Sequence, residues 1–292
     1  MPALICILIF FMIATPATAH GDEAHGSGFP WTFDPWIVVP LAMLAILYGV
    51  GIMRLAWRAR RPGGMLIPAL LYCGGMVTLA GALLSPLHWL GEHLFTFHMI
   101  EHEIVMAVSA PLIVLARPVG ILLWGLPTAA RQAVGSVMRS ALIRGPWDWC
   151  TGATSSTILH GVAIWAWHAP VLFDAAVTNP TLHGLQHLSF LATAILFWWA
   201  IVWRSDYGAS AWHLFATMIH TGVLGALIAL APHVLYIAQT HAAMTWELTP
   251  LEDQQLAGII MWVPVGTIYA AAAMTMLALW IRRSSERKAQ NV

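Results

Sequence analysis

Charge is scarce in this chain. Only 9% of its 292 residues are Asp, Glu, Lys or Arg and 59% are apolar, whereas a soluble domain is about 25% charged. That composition cannot cover an ordinary water-exposed surface, and it reads as a polytopic membrane protein. Thirteen basic residues balance thirteen acidic ones, so no surplus of positive charge points to nucleic acid as a partner. Cysteine is equally sparse: Cys6, Cys73 and Cys150 sit singly in apolar stretches. Their isolation excludes a disulfide framework and any closely spaced thiolate pair for a metal. An ion held here must use imidazole, thioether and carboxylate, and histidine, at 14, outnumbers either charge class.

Long apolar runs are what the chain does have. Residues 1–19 hold a short run, LICILIFFMIA, ending in Ala17-Thr18-Ala19, the pattern of a signal peptide cleaved before His20. No basic segment precedes the run, so an uncleaved anchor is the alternative. Residues 20–35, with His20 and His25, are expected as a polar exported segment. Seven spans are expected after it: Trp36 to Trp57, Met65 to Leu84, Leu94 to Ala116, Trp149 to Trp167, Leu185 to Trp203, Trp212 to Ala231 and Leu256 to Ile281. Each approaches the ~20 apolar residues that cross a ~30 Å hydrocarbon core, and Trp marks many of their ends. The predicted fold is therefore all-α, a membrane helix bundle over residues 36–281 with a tail at 282–292. No internal repeat or separate soluble domain is evident.

The basic residues orient the bundle. Arg54, Arg58, Arg60 and Arg61 follow the first span, Arg117, Arg131, Arg139 and Arg144 the third, Arg204 the fifth, and Arg282, Arg283, Arg287 and Lys288 the seventh. All thirteen fall on one side, which the positive-inside rule makes the cytoplasm. The N-terminus is then outside and the C-terminus inside. Arg131, Arg139 and Arg144, spaced among apolar residues, suggest a helix lying on anionic lipid of the inner leaflet. Most histidines fall on the outer side: His88, His93, His233 and His241 in outer loops, and His98, His102, His168, His183 and His187 in the outer ends of spans. His160 and His220 lie deeper, and His213 is on the inner side. The expected working face is periplasmic.

Ionisable side chains inside a span are a functional signal by default. His98 and His102 are four apart and share one helical face, with Met106 a further turn along. His183 and His187 repeat the spacing, and the span between contributes His160 and His168. One helical turn brings two imidazoles close enough to share an ion, which suits copper, zinc or iron, and the methionines Met99, Met106 and Met244 tilt the choice towards Cu(I). The expected metal ligands are His98, His102, His160, His168, His183 and His187. Glu101, near the His98 face, is expected to orient an imidazole, and Met106 and His220 to extend the site. Glu103 points elsewhere, protonated or in contact with another span. The bland alternatives are interhelical hydrogen bonds for the histidines and core packing for the methionines. Before the last span, Thr249 and Glu252 have the spacing of a capping box.

Four segments in this order resemble the CtaG-like cytochrome c oxidase assembly factors of bacterial membranes. They are His98-Met99-x-x-His102 followed by Ala110-Pro111-Leu112, Trp165-x-Trp167-His168-x-Pro170, His183-x-x-x-His187 leading to Phe197-Trp198-Trp199, and Asp253-Gln254-Gln255-x-Ala257-Gly258 with Met261-Trp262. The resemblance covers nearly all of the chain after residue 19. It implies a non-enzymatic protein of the bacterial inner membrane that helps mature a haem-copper oxidase by supporting copper insertion, with oxidase subunits and periplasmic copper chaperones as partners. Glu101 and Glu103 are not part of the family pattern. Two rival functions fit the histidines alone. A b-type haem protein would need opposed axial ligands, which pairs on one helix do not supply. A metal or proton transporter would use the column His102, His160, His220, His213, but lacks acids in the inner half.

Overall fold

The computed structural model describes residues 30–58 and 62–290. The expected leader at 1–19, the segment around His20 and His25, and Arg60 and Arg61 lie outside the described residues.

Among the described residues every regular element is helical. In chain order they are α1 (Pro35–Arg58), α2 (Leu66–Leu84), a short α3 (Pro86–His93) and α4 (Phe95–Leu115). Then come α5 (Pro118–Gly125), α6 (Thr128–Arg139), α7 (Ala141–Cys150), α8 (Ala153–Trp167) and α9 (Pro170–Thr178). The chain continues with α10 (Pro180–Arg204), α11 (Tyr207–Ala229), a single turn α12 (Ile237–Thr240) and α13 (Pro250–Gln290).

Six of these, α1, α2, α4, α10, α11 and α13, are long and apolar enough to cross a bilayer. The remaining expected span, Trp149 to Trp167, is interrupted. Gly152 is extended, with ψ 145°, and α8 restarts at Ala153 for 15 residues, about 22 Å at ~1.5 Å per residue. Thr151, at the end of α7, receives a hydrogen bond from Arg204, whose guanidinium also pairs with Asp148 at 3.0 Å. Those contacts fix the break. Pro170 prevents α8 from continuing past His168.

The core is formed around α4 and α10, the two most buried spans. Both contain a widened π-helical turn, Ile104–Ser109 in α4 and Ala200–Arg204 in α10. In α4 the cause is local. Pro111 has no N–H to give to Ala107, and the turn just before it absorbs the mismatch. The Met106 carbonyl is taken by the Trp198 indole N–H at 3.0 Å, and the Val114 carbonyl by Trp203 at 3.0 Å. Both bonds join α4 to α10.

The remaining spans pack around this pair. α5 folds back on α1, where a Cβ on Gly51 would fall 1.9 Å from the Ile121 carbonyl oxygen, so only glycine allows this backbone approach. No residue of α6, which carries Arg131 and Arg139, is buried.

The start of α13 locks the histidine end of the bundle. Thr249 and Glu252 form the expected capping box: the Thr249 N–H donates to Glu252 Oε2 at 2.8 Å, and the Glu252 N–H donates to Thr249 Oγ1 at 3.2 Å. Asp253 then reaches across the bundle to α4. Its carboxylate accepts the Phe95 N–H at 2.8 Å, the Thr96 N–H at 3.0 Å and the Thr96 hydroxyl at 2.7 Å. The first turn of α4 is thereby capped by a residue 158 positions away, which satisfies otherwise orphaned donors and places an anion at the positive end of the helix.

Candidate metal centre

Four elements meet at that end. α4 presents His98, Glu101 and His102, α10 presents His183 and His187, α8 ends at His168, and α3 supplies His88. Except for His183, which is partly buried, all are buried.

Spacing four apart does what helical geometry requires. The His98 and His102 rings are 4.3 Å apart between centroids and those of His183 and His187 4.5 Å, with Nε2 to Nε2 at 2.9 Å. The pairs face one another across α4 and α10: His98 stacks on His183 at 5.4 Å and His102 meets His187 edge-on at 5.0 Å. His168 approaches His102 at 6.4 Å. Its Nδ1 bonds the Ile164 carbonyl at 2.7 Å, which leaves Nε2 for the interior, and its own carbonyl accepts the Tyr236 hydroxyl at 2.7 Å.

Glu101 holds the centre together. Its Oε1 is 2.8 Å from His88 Nδ1 and 3.5 Å from His187 Nε2. Ligand atoms of His88, Glu101 and His187 all lie within 4.8 Å of one another, close enough to share one metal ion. Sequence reasoning put His88 in an outer loop and missed it. The available signal was Ser85-Pro86, a helix start: Ser85 Oγ accepts the Leu87 N–H at 3.2 Å and Pro86 takes the first turn. Gly91 lets α3 lie flat on α4, since a Cβ there would be 2.9 Å from Glu101 Oε2 and 3.3 Å from His98 Cα. Burial disfavours a charged His88, but the Glu101 carboxylate beside it outweighs that effect and pushes its pKa up to about 9.

Several buried polar atoms of the cluster have no hydrogen-bond partner: both ring nitrogens of His102, Nε2 of His98 and His168, Nδ1 of His187 and Oε2 of Glu101. Buried polar groups are normally satisfied. A set of imidazole nitrogens with one carboxylate oxygen fits the donor preference of copper, zinc or iron.

Other expected site residues lie apart from this group. His160 is eight residues from His168 along α8, ~12 Å at helical rise. Its Nδ1 meets Thr193 Oγ1 at 3.0 Å and its ring stacks on Phe197 at 5.5 Å. His220, on α11, receives the Trp165 indole N–H at 3.4 Å. Met106 is buried in the π turn of α4, and Glu103 is buried one residue past His102.

Similar proteins include an uncharacterized protein of Mycobacterium bovis and one of Mycobacterium tuberculosis, each 26% identical over 268 residues, 87% of this chain and 40% of the relative. An uncharacterized protein of Mycobacterium leprae is 25% identical over 274 residues, again 87% and 40%. The chain thus spans about 40% of the length of these relatives. No solved structure matches. Residues 46–283, from α1 into the last turns of α13, match the family Caa3_CtaG, so the chain belongs to the cytochrome c oxidase caa3 assembly factors.

Proposed function

We propose that this protein supports assembly of a haem-copper oxidase by holding copper transiently at the histidine cluster and passing it to an oxidase subunit. The observation that carries the proposal is the convergence of α3, α4, α8 and α10 on one buried group of imidazoles around Glu101, with ring nitrogens left unpaired. His88, Glu101 and His187 are the inner ligand group, and His98, His102, His168 and His183 surround it as exchange partners. Imidazole with a single carboxylate binds copper without a thiolate cage, His88 giving up its proton on binding, and incompletely caged ligands permit handover. Copper is cargo here, and no bond-making step is assigned to the protein.

We place this end of the bundle on the periplasmic side of a bacterial inner membrane, with α8 as a seventh, short span. The support is the basic residues, which follow alternate spans and so collect at the opposite end. Oxidase subunits and periplasmic copper chaperones are the proposed partners. The test pairs two measurements. Purified protein is expected to take up Cu(I) or Cu(II) by elemental analysis, and His98→Ala and His187→Ala are expected to lower both copper content and the amount of spectroscopically intact oxidase in cells. Protein that takes up neither ion, with both variants still assembling oxidase, overturns the reading.

A further inference from the structure

At the end of the bundle opposite the histidines, three guanidiniums gather around one indole. Arg54 and Arg58 are one turn apart on α1, and Arg54 Nη1 donates to the main-chain carbonyls of Trp124, Gly125 and Leu126 at the end of α5, at 3.0, 3.1 and 3.0 Å. The Arg58 guanidinium lies over the Trp124 ring, 5.2 Å from its centroid, and that of Arg131, from α6, lies 4.2 Å from the same centroid. Both are within the ~6 Å of a cation–π contact. Arg54 and Arg58 are exposed, and Trp124 and Arg131 are half-buried. Among the described residues no carboxylate pairs with any of the three arginines. The acids of this end are engaged elsewhere: Asp148 with Arg204 and Arg144, Glu286 with Arg282, and Asp206 at the start of α11. Next to the arginine stripe on α1 runs an apolar one, in which Met53 is 52% and Trp57 87% exposed.

We propose that these arginines form a binding site for one anionic phospholipid, its phosphate on Arg58 and Arg131 and an acyl chain along Met53 and Trp57, in the leaflet opposite the histidine cluster. The site rests on the membrane-spanning helices and not on the copper reading. Stacking on an aromatic face orders a guanidinium and leaves its N–H edge to donate, and that planar fork matches a phosphate. Like charges held around one ring repel one another. With every nearby acid engaged, the neutralising charge comes from outside the protein. The exposed apolar stripe decides the class of anion. Inorganic phosphate or an acidic peptide would neutralise the arginines and leave Met53 and Trp57 bare, whereas an amphiphile covers both, as in other basic pockets at helix ends in membranes. A built site also differs from general attraction to a charged surface, which would use every arginine of α6 alike. Arg139, exposed and eight residues beyond Arg131, stands outside the group on Trp124 and supplies the control.

The test uses full-length protein stripped of lipid in a neutral detergent and titrated with phosphatidylglycerol, with bound lipid counted by native mass spectrometry. One tightly bound phosphatidylglycerol per chain is expected. Its affinity should fall about tenfold or more in Arg58→Gln and in Arg131→Gln, the loss expected for a hydrogen bond to a charged group, and stay unchanged in Arg139→Gln. Phosphatidylcholine with the same acyl chains, whose head group has no net charge, should bind about tenfold more weakly than phosphatidylglycerol. Thermal unfolding of the lipid-free variants verifies that each is folded, and either Arg58→Gln or Arg131→Gln alone decides the outcome. Equal affinity for the two lipids, or unchanged affinity in Arg58→Gln and Arg131→Gln, overturns the site. An equal loss in Arg139→Gln reduces it to surface attraction and overturns it too. Displacement of the lipid by an equal concentration of inorganic phosphate or of a polyglutamate peptide assigns the arginines to a soluble anion and overturns the lipid as occupant.

Discussion

His88 Nδ1 stands 2.8 Å from Glu101 Oε1, and this contact ties a short helix outside the spans to the interior of α4. Both side chains are buried, so removal of one leaves the other without its partner. His88→Ala is expected to destabilise the protein by about 3–5 kcal/mol, the usual range for an orphaned buried charge. His93→Ala, which removes a local bond to the Trp89 carbonyl at 2.7 Å and a ring contact with the same residue, should cost about 1 kcal/mol. Thermal unfolding in detergent compares the two.

The same pair sets a pH dependence in metal-free protein. The folded pKa of His88, about 9, lies above the ordinary imidazole value of 6.5. Its contribution to stability is therefore complete below about pH 6.5 and is lost as pH rises through 9. Wild-type protein should lose stability across that window, and His88→Gln should show a flatter profile. Equal slopes for the two would mean that His88 carries no proton in the fold.

Gly91 and Gly49 separate close approach from helix propensity. A Cβ at Gly91 meets Glu101 and the α4 backbone, whereas one at Gly49 meets nothing within 4 Å. Gly91→Ala should destabilise by about 1–3 kcal/mol through overpacking and lower copper content by displacing His88 and Glu101. Gly49→Ala should be neutral or stabilising by up to about 1 kcal/mol. Unfolding midpoints and elemental analysis of both variants check this.

Asp253 and Glu252 are adjacent acids with different reach. Asp253→Ala removes three hydrogen bonds at the start of α4 and should cost about 2 kcal/mol or more, the upper end for a helix cap. Glu252→Ala disturbs only the exposed start of α13 and should cost about 0.5–1 kcal/mol. The difference should also appear as faster backbone amide exchange at Phe95 and Thr96 in Asp253→Ala alone.

Local patterns carried most of the fold. Apolar run length located six of the long helices, the first three to within a residue or two, because hydrocarbon thickness and helical rise leave little freedom, while α10 and α11 start five residues earlier and α13 extends six residues before and nine beyond the expected run. The His98/His102 and His183/His187 faces followed from the period of a helix. The Thr249–Glu252 box was legible because both partners lie in one turn. What escaped was long-range or broken. Asp253 looked like one more acid at a helix start, since nothing local links it to Phe95. His88 looked like a loop residue because an eight-residue helix falls below the length at which apolar periodicity is distinct. Trp149 to Trp167 read as one span because its hydropathy hides the extended backbone of Gly152.

The indole bonds from Trp198 and Trp203 to α4 carbonyls have a mechanical consequence. The first closes the gap left by the widened turn before Pro111, so prising α4 from α10 would expose the Met106 main-chain oxygen to hydrocarbon. These two cylinders therefore act as one stiff post.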